Sequence, residues 1–243
     1  MNCYSRQWFE FFHETIPSQR TDAEVAFIAG WAPLPDFRRV LDVCCGMGRH
    51  ARALAQRGYV VTGIERNQAA IARAEELGGG PTYILRDVRE YTPDRERFDL
   101  AIVMSQSFGY FDAATNRSLL GRLAAGLRVG GRIILDLWNP EFFVAHQGDR
   151  DLETSTGVVR ETKAMRDRRL VVDLRYPNGT TESFDWELFT PTEMRSLAER
   201  VGLDLLTECT DMSAEMKPGA ANPRIQFVLE TATEFRPPKS AAP

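Results

Sequence analysis

The sequence predicts an α/β fold, with a mostly parallel sheet covered by helices on both faces. The first observation behind this prediction is that short apolar runs alternate with helix-like runs between residues 40 and 137. The second is a change to period-two patterning after Asn139, which indicates an antiparallel strand insertion before the last helix. The length of 243 residues suits one such domain with some additions.

The predicted elements follow one another in a regular order. Thr21 and Glu24 have the spacing of a capping box, which predicts a helix that runs toward Trp31. The apolar run at 40–44 is the first predicted strand. The elements after it are a helix at 48–56, a strand at 59–65, a helix at 68–77, a strand at 82–86, the strand FDLAIVMS, a helix at 114–127 that VGG stops, and the strand RIILDL.

The segment GVVRETKAMRDRRLVVDLRYPNGTTESFDWELF contains a Pro-Asn-Gly turn between alternating runs, so it predicts an antiparallel hairpin or meander. Thr190, Pro191 and Glu193 supply the cap, first-turn proline and capping-box acid of a further helix. Two strand-like runs, LDLLTECT and RIQFVLET, complete the pattern.

Composition excludes several classes of function. The formal charge is −4, from 30 basic and 34 acidic residues that are interspersed, so we expect no nucleic-acid partner. The four cysteines fit neither a CxxC redox motif nor a zinc site, and reduced thiols in a cytoplasmic protein are expected. Neither a signal peptide nor an apolar run of roughly 18 residues is present, so we expect no membrane partner.

The most informative stretch is RVLDVCCGMGRHARALAQRGYVVTGIERN. Gly46, Gly48 and Ala51 spell GxGxxA, and Glu65 follows about 20 residues later, which a dinucleotide-binding loop permits. Asp42, however, stands inside the apolar strand, where a carboxylate is costly unless it is bonded. We therefore expect Asp42 to organise the loop, and the pattern becomes DxxxGxG.

DxxxGxG resembles motif I of the class I S-adenosylmethionine-dependent methyltransferases, which usually have DxGCGxG. The order of later segments strengthens the resemblance: ILRDVREY, then FDLAIVMSQSFGYF, then LLGRLAAGLRVGGRIILDLWNP. The similarity extends over about residues 20–230 and is closest to a broad bacterial group of small-molecule methyltransferases. It implies a Rossmann-like, seven-stranded sheet and S-adenosylmethionine as cofactor, released as S-adenosylhomocysteine.

The resemblance also implies a set of cofactor contacts. Glu65 would accept the ribose hydroxyls, Asp87 would accept the adenine amino group, and Arg20 would bind the cofactor carboxylate. Cys44 departs from the family pattern because it replaces the usual first glycine of the loop. The full set of expected cofactor residues is Arg20, Asp42, Cys44, Gly46, Gly48, Glu65, Arg66, Asp87, Val88, Met104 and Ser105.

Methyl transfer from a sulfonium is an in-line displacement, so alignment and exclusion of water are the main catalytic tasks. His13 and Tyr110 are the catalytic candidates, while His50 is expected to be a packed residue behind the loop. We expect a planar or aromatic small molecule, methylated on nitrogen or oxygen without a metal ion. The expected substrate contacts are Trp8, Phe12, Tyr110, Trp138, Asn139 and Phe142.

The predicted organisation is one methyltransferase domain over 1–232 with three parts. These are an N-terminal helical lid at 1–35, a cofactor-binding core at 36–139 and an antiparallel insertion at 150–190; a disordered tail at 233–243 follows. We expect a monomer or homodimer. Two alternatives stay open at this stage: an RNA-modifying methyltransferase and a NAD-binding oxidoreductase.

Overall fold

The computed structural model describes residues 5, 7–8, 11, 16–155 and 157–232. The predicted tail at 233–243 therefore lies outside the described residues, as do residues 1–4, 6, 9–10 and 12–15 of the predicted lid. The elements are α1 (Ser18–Trp31), β1 (Arg39–Val43), α2 (Arg49–Gln56), β2 (Val60–Glu65), α3 (Gln68–Glu76), β3 (Thr82–Leu85), β4 (Phe98–Val103), α4 (Ala113–Ala125), β5 (Leu127–Trp138), α5 (Pro140–Ala145), β6 (Gly148–Thr154), β7 (Gly157–Arg166), β8 (Arg169–Arg175), β9 (Thr181–Glu187), α6 (Pro191–Glu199), β10 (Leu203–Cys209) and β11 (Arg224–Thr231).

The larger sheet has seven strands in the order β10-β11-β5-β4-β1-β2-β3. Strands β1 to β5 run parallel, and β11 pairs antiparallel with both β5 and β10. This architecture confirms the predicted Rossmann-like sheet. Strands β4 and β1 lie at its centre, and all six residues of β4 are buried, as expected of a strand with helices on both faces.

The smaller sheet is a four-stranded antiparallel meander in the order β6-β7-β8-β9, which confirms the predicted hairpin or meander. In β8, and in parts of β7 and β9, buried inner residues alternate with more exposed outer ones, whereas β6 has no buried residue. The inner face forms its own apolar cluster, separate from the two clusters that flank the large sheet. Members of this third cluster include Val159, Leu170, Val172, Leu174, Phe184 and Trp186.

The meander is joined to the large sheet just beyond the carboxyl end of β4. The Glu187 N–H donates to the Gly109 carbonyl over 2.8 Å, and the Arg169 guanidinium donates to the Phe111 carbonyl over 3.1 Å. Ligands of parallel sheets bind beyond the carboxyl ends of the strands. The meander therefore covers part of the edge where a ligand is expected.

Two predicted element boundaries are wrong. Helix α1 begins at Ser18 after Pro17, which makes no side-chain cap, so Thr21 and Glu24 do not form a capping box. Helix α4 ends at Ala125 and the VGG segment lies inside β5, with Gly130 at φ 68°. The first error arose because the Glu24 carboxylate contacts Arg20, Arg49 and His50 instead of capping the helix. By contrast, the capping box at Thr190 and Glu193 is confirmed.

Membrane insertion through a helix has no support in the described part of the chain. Each helix there is too short or too polar to cross a bilayer.

Replacing Gly109 with alanine should destabilise the joint between the two sheets. Gly109 has φ 97°, and an added Cβ would lie 2.2 Å from the Glu187 carbonyl oxygen. Backbone strain and overpacking together should cost about 3 kcal/mol or more. Urea unfolding measures this cost. Gly179→Ala is the matched control, because Gly179 also has a positive φ, 84°, but open space around it; equal losses in the two variants would contradict the proposed clash.

Candidate active site

The loop after β1 is built from residues in left-handed conformations. Cys44, Gly46 and Gly48 have φ values of 57°, 54° and 73°. At Cys44 this conformation costs on the order of 1–3 kcal/mol, a cost that glycine avoids. Cys44 thus keeps the backbone turn expected of the family despite its side chain. Burial raises the pKa of its thiol above the ordinary range, so the thiol stays protonated.

Close packing explains why glycine is needed around this loop. A Cβ at Gly48 would lie 2.2 Å from the Tyr83 hydroxyl, and a Cβ at Gly63 would lie 2.8 Å from the Cys45 sulfur. The Cys45 N–H also donates to the Ile64 carbonyl over 2.9 Å. The loop is therefore pressed against β2 and β3, which fixes its position relative to the acids at their ends.

Glu65 ends β2, and its carboxylate is hydrogen-bonded to the loop after β1. One carboxylate oxygen accepts from the Gly46 N–H over 3.2 Å, and the other accepts from the N–H groups of Arg66 and Asn67, both over 2.9 Å. Its exposed fraction is only 9%. Because a carboxylate offers about four acceptor positions, these three bonds leave room for one more donor.

Asp87 follows β3 and forms a fork with Arg89. Its oxygens accept from the Arg89 backbone over 2.9 Å and from the guanidinium over 3.0 and 2.7 Å. These hydrogen bonds lower the pKa of Asp87, so it is ionised at neutral pH. Arg66 lies 4.0 Å from the same carboxylate, while the neighbouring Val88 is buried and its carbonyl accepts from Arg122 over 3.2 Å. The ends of β2 and β3 are thereby brought together.

Asp42 is the next-to-last residue of β1, pairs in register with Gly63 and Ile102, and is 1% exposed. Among the described residues, its Oδ2 has no hydrogen-bond partner. Burial raises the pKa of Asp42 to about 7, and the nearby Glu65 charge acts in the same direction. This carboxyl group can therefore keep a proton near neutral pH, unlike the ionised Asp87.

Several buried polar contacts at the site converge on Glu24, which is fully buried in α1. Its carboxylate accepts from Arg20 Nε over 3.0 Å, interacts with His50 Nε2 over 2.8 Å and forms a short ion pair with Arg49. Burial acts to raise the pKa of Glu24, but the contacts with His50 and Arg49 outweigh it and lower the pKa. Burial also lowers the pKa of His50, which keeps that ring neutral.

Arg49 extends this network to the end of β4. Its guanidinium donates to the Thr21 hydroxyl over 2.9 Å and to the Ser105 hydroxyl over 2.8 Å. The Ser105 N–H in turn donates to Asp136 over 3.2 Å, and Met104 beside it is buried. One partly buried arginine therefore connects α1, the start of α2 and the carboxyl end of β4.

Aromatic side chains meet where the meander covers β5. The ring centroids of Trp138 and Trp186 are 4.9 Å apart at 72°, and those of Tyr110 and Trp186 are 5.6 Å apart. Trp138 also lies 5.3 Å from Phe143. From the N-terminal segment, Trp8 packs on the meander, with its ring 6.0 Å from that of Phe184. Tyr110, Trp138 and Trp8 are thus brought into one cluster, as the sequence suggested.

Asn139 and Phe142 are the other predicted substrate contacts that the structure describes. The Asn139 side chain caps α5 through the Glu141 N–H and donates to the carbonyls of Gly219 and Asn222 over 2.8 and 2.9 Å. These bonds give Asn139 a structural role. The Phe142 ring packs against the same aromatic cluster, 5.1 Å from the Phe143 ring, and also stacks on His146 at 3.9 Å. Phe12 and His13 lie outside the described residues.

Comparison with known proteins is consistent with this geometry. Residues 40–131 match the family model described as "Methyltransferase domain". The chain is 29% identical over 216 residues to dTDP-4-amino-2,3,4,6-tetradeoxy-D-glucose N,N-dimethyltransferase of Saccharopolyspora spinosa, covering 80% of this chain and 79% of the relative. The chain is a class I S-adenosylmethionine-dependent methyltransferase. The cofactor of this enzyme is S-adenosylmethionine, and the family and cofactor predictions are confirmed.

Two solved structures show how much of the methyltransferase shares a known fold. The sugar N-methyltransferase KedS8 from Streptoalloteichus sp ATCC 53650 has a TM-score of 0.74 at 20% identity and covers 96% of this chain and 95% of its own. CalS10, an amino pentose methyltransferase from Micromonospora echinaspora, has a TM-score of 0.72 at 21% identity, with coverage of 96% and 99%. Both matches include the antiparallel meander, so the insertion is part of the shared fold.

Sequence analysis missed the role of Glu24 in this methyltransferase. The signal was present, because Arg20 and Glu24 are four residues apart and such pairs face each other on a helix. The capping-box interpretation hid it. Arg20, predicted to bind the cofactor carboxylate, uses its Nε for Glu24. In the described residues, no group of three His, Cys, Asp or Glu side chains is arranged to hold a metal ion.

Replacing Glu24 with glutamine should lower the free energy of unfolding of the methyltransferase at neutral pH. The change leaves Arg49 and His50 without their buried anion, which should cost about 3 kcal/mol. Because the folded pKa of Glu24 lies below 4.5, its stabilisation is present above that pH and decreases as the pH falls below it. Urea unfolding at pH 7 and pH 4 should therefore show a smaller difference between variant and wild type at pH 4. Asp22→Asn, on an exposed face of the same helix, is the control and should change little.

Proposed function

We propose that this methyltransferase methylates the amine nitrogen of a small amino sugar carried on a nucleotide. The observation that carries this proposal is the position of the meander, which meets the ends of β4 and β5 through Gly109, Tyr110 and Trp138. The relative from Saccharopolyspora spinosa is named for methylating such a nucleotide-linked amino sugar, and the match spans 80% of this chain. This match therefore includes sequence beyond the predicted cofactor-binding core.

We further propose that the cofactor lies across the loop after β1. Glu65 would accept one ribose hydroxyl at its remaining acceptor position, and Asp87 would accept from the adenine amino group. The left-handed Cys44, Gly46 and Gly48 bring the backbone within reach of the methionine part. Arg66 and Val88 flank the adenine position, Met104 and Ser105 close the far side, and Arg20 would need to keep its outer nitrogens free for the carboxylate. These residues fit the cofactor in charge and in order along the sheet edge.

When bound, S-adenosylmethionine supplies an electrophilic methyl group on a sulfonium. The residues of the protein then have to hold the acceptor nitrogen in line and exclude water. Tyr110 and Trp138 are partly buried at the strand ends and are suited to this positioning task. A neutral amine carries its own lone pair, so no strong base is required. In the described residues, neither His50, bonded to Glu24, nor His146, bonded to the Phe142 carbonyl, is free to act as one.

A planar or aromatic acceptor is the second candidate, because the aromatic cluster around Trp138 provides ring faces. Its rings, however, pack mainly against one another in tilted and edge-on pairs. Such packing is also what an apolar core requires, so the cluster favours a flat substrate less than its composition suggests. An RNA acceptor has no comparable support, since the chain has a net charge of −4.

A methyl-transfer assay separates these candidates. The protein is incubated with S-adenosylmethionine and, in separate reactions, a nucleotide-linked 4-amino sugar, a panel of phenols and aromatic amines, and bulk tRNA. Mass spectrometry detects the added methyl group. We expect transfer to the amino sugar, up to the dimethylamine. Transfer confined to the aromatic compounds or to tRNA would overturn the proposal.

Cofactor placement is tested by calorimetry with S-adenosylhomocysteine. Glu65→Ala and Asp87→Ala should each weaken binding by about 1.5–3 kcal/mol, because each removes charge-assisted hydrogen bonds. Asp94→Ala is the control, since Asp94 is 82% exposed and pairs only with Arg97 nearby. Unchanged affinity in both active-site variants would mean that the cofactor lies elsewhere.

A further inference from the structure

The inner face of the meander carries a buried lysine that the methyltransferase assignment does not explain. The sequence has three lysines, Lys163, Lys217 and Lys239, among 30 basic residues. Lys163 lies on β7 and its side chain is only 10% exposed, whereas that of Lys217 is 69% exposed. A buried ammonium is costly unless charged or polar partners satisfy it. Its surroundings should therefore reveal what it binds.

The Lys163 ammonium lies against the aromatic cluster at the end of β5. Its Nζ is 5.3 Å from the Trp138 ring centroid and 5.4 Å from that of Phe143. An ammonium has three donor hydrogens. Among the described residues, its only hydrogen-bond partner is Glu161, at 2.7 Å. Two donors of this ammonium are therefore available beside Trp138.

Glu161 does not fully compensate the lysine, because it also pairs with Arg150 on the adjacent strand β6. One carboxylate thus serves two cations. The other acid on this face, Glu182, accepts from the Tyr176 hydroxyl and the Ser5 N–H. Burial lowers the pKa of Lys163, and the Glu161 charge opposes that change. An additional anion beside Lys163 would compensate the positive charge that Glu161, shared between Lys163 and Arg150, leaves unbalanced.

Trp186, whose ring packs on Trp138, carries a second unsatisfied donor. The Trp186 indole N–H is buried and has no hydrogen-bond partner among the described residues. Trp186 is 4% exposed, and its ring is in contact with both Trp138 and Tyr110. A buried donor without an acceptor is destabilising, so such a group points to an acceptor supplied by a ligand.

We propose that Lys163 and Trp186 form a donor pair that recognises an anionic oxygen group of the methyl acceptor, namely a phosphate. Trp138 contacts both Lys163 and Trp186 at the end of β5, so the phosphate would bind beside its ring. The meander then sets specificity, because it selects acceptors that carry a phosphate near the amine. This inference rests on the proposed function, since it assumes that the acceptor occupies the edge beneath the meander.

The test compares two acceptors that differ only in the phosphate. One is the nucleotide-linked amino sugar, and the other is the methyl glycoside of the same amino sugar. Lys163→Met should raise KM for the nucleotide-linked acceptor about tenfold or more, with little change in kcat and no change in KM for the glycoside. Trp186→Phe keeps the ring and removes the N–H, and should raise the same KM to a smaller extent. Lys163→Arg should recover part of the loss.

Lys217→Met is the matched control and should leave both KM values unchanged. S-adenosylhomocysteine affinity should stay the same in every variant, which excludes a general loss of folding. An equal KM change for both acceptors, or none for the nucleotide-linked one, would overturn the phosphate assignment.

A direct binding measurement separates this inference from the proposed function. Thymidine diphosphate is titrated into protein saturated with S-adenosylhomocysteine. We expect binding to wild type and about tenfold weaker binding to Lys163→Met. If wild type methylates neither sugar but binds the diphosphate through Lys163, only the proposed function fails. If it methylates the sugar and Lys163→Met binds the diphosphate normally, only this inference fails.

Discussion

The ion pair between Glu24 and Arg49 is the constraint on which the geometry of the site depends. Glu24 belongs to a helix before the sheet, Arg49 follows the glycine loop, and Ser105 follows β4. These three segments are separated in the sequence, and noncovalent contacts bring them together. A buried carboxylate paired with a partly buried arginine must keep its partners, since breaking the pair leaves the carboxylate charge uncompensated in the interior. The pair therefore holds the loop, the helix and the strand end in one arrangement.

The fold follows from the sequence more closely than the site does. Local patterns were enough to predict the parallel core, the meander after Asn139 and the capping box at Thr190, because each depends on residues a few positions apart. Glu24 and Arg49 are 25 positions apart and meet only after the chain has folded. The capping-box spacing of Thr21 and Glu24 was misleading, because spacing alone does not show that Glu24 becomes buried.

The predicted site residues differ in the same way. Glu65 and Asp87 follow strands directly, so their place at the sheet edge could be predicted from strand order. Cys44 could not be resolved from sequence, because a non-glycine residue at φ 57° is uncommon and only the fold forces it. Trp186 and Lys163 lie on a separate sheet, and their contact with Trp138 depends on how the meander packs.

The packing of the meander also limits where specificity can come from. Most side chains on its inner face are apolar and pack against one another. They can exclude water, but they distinguish poorly between substrates of similar shape. Discrimination by a large factor requires polar groups that lose a partner when the wrong molecule binds. Lys163 and Trp186 are such groups, and both border Trp138 at the end of a strand of the cofactor-binding sheet. A strand insertion on a common methyltransferase fold can therefore change the substrate class through very few polar residues, while the sheet that aligns the methyl group stays the same.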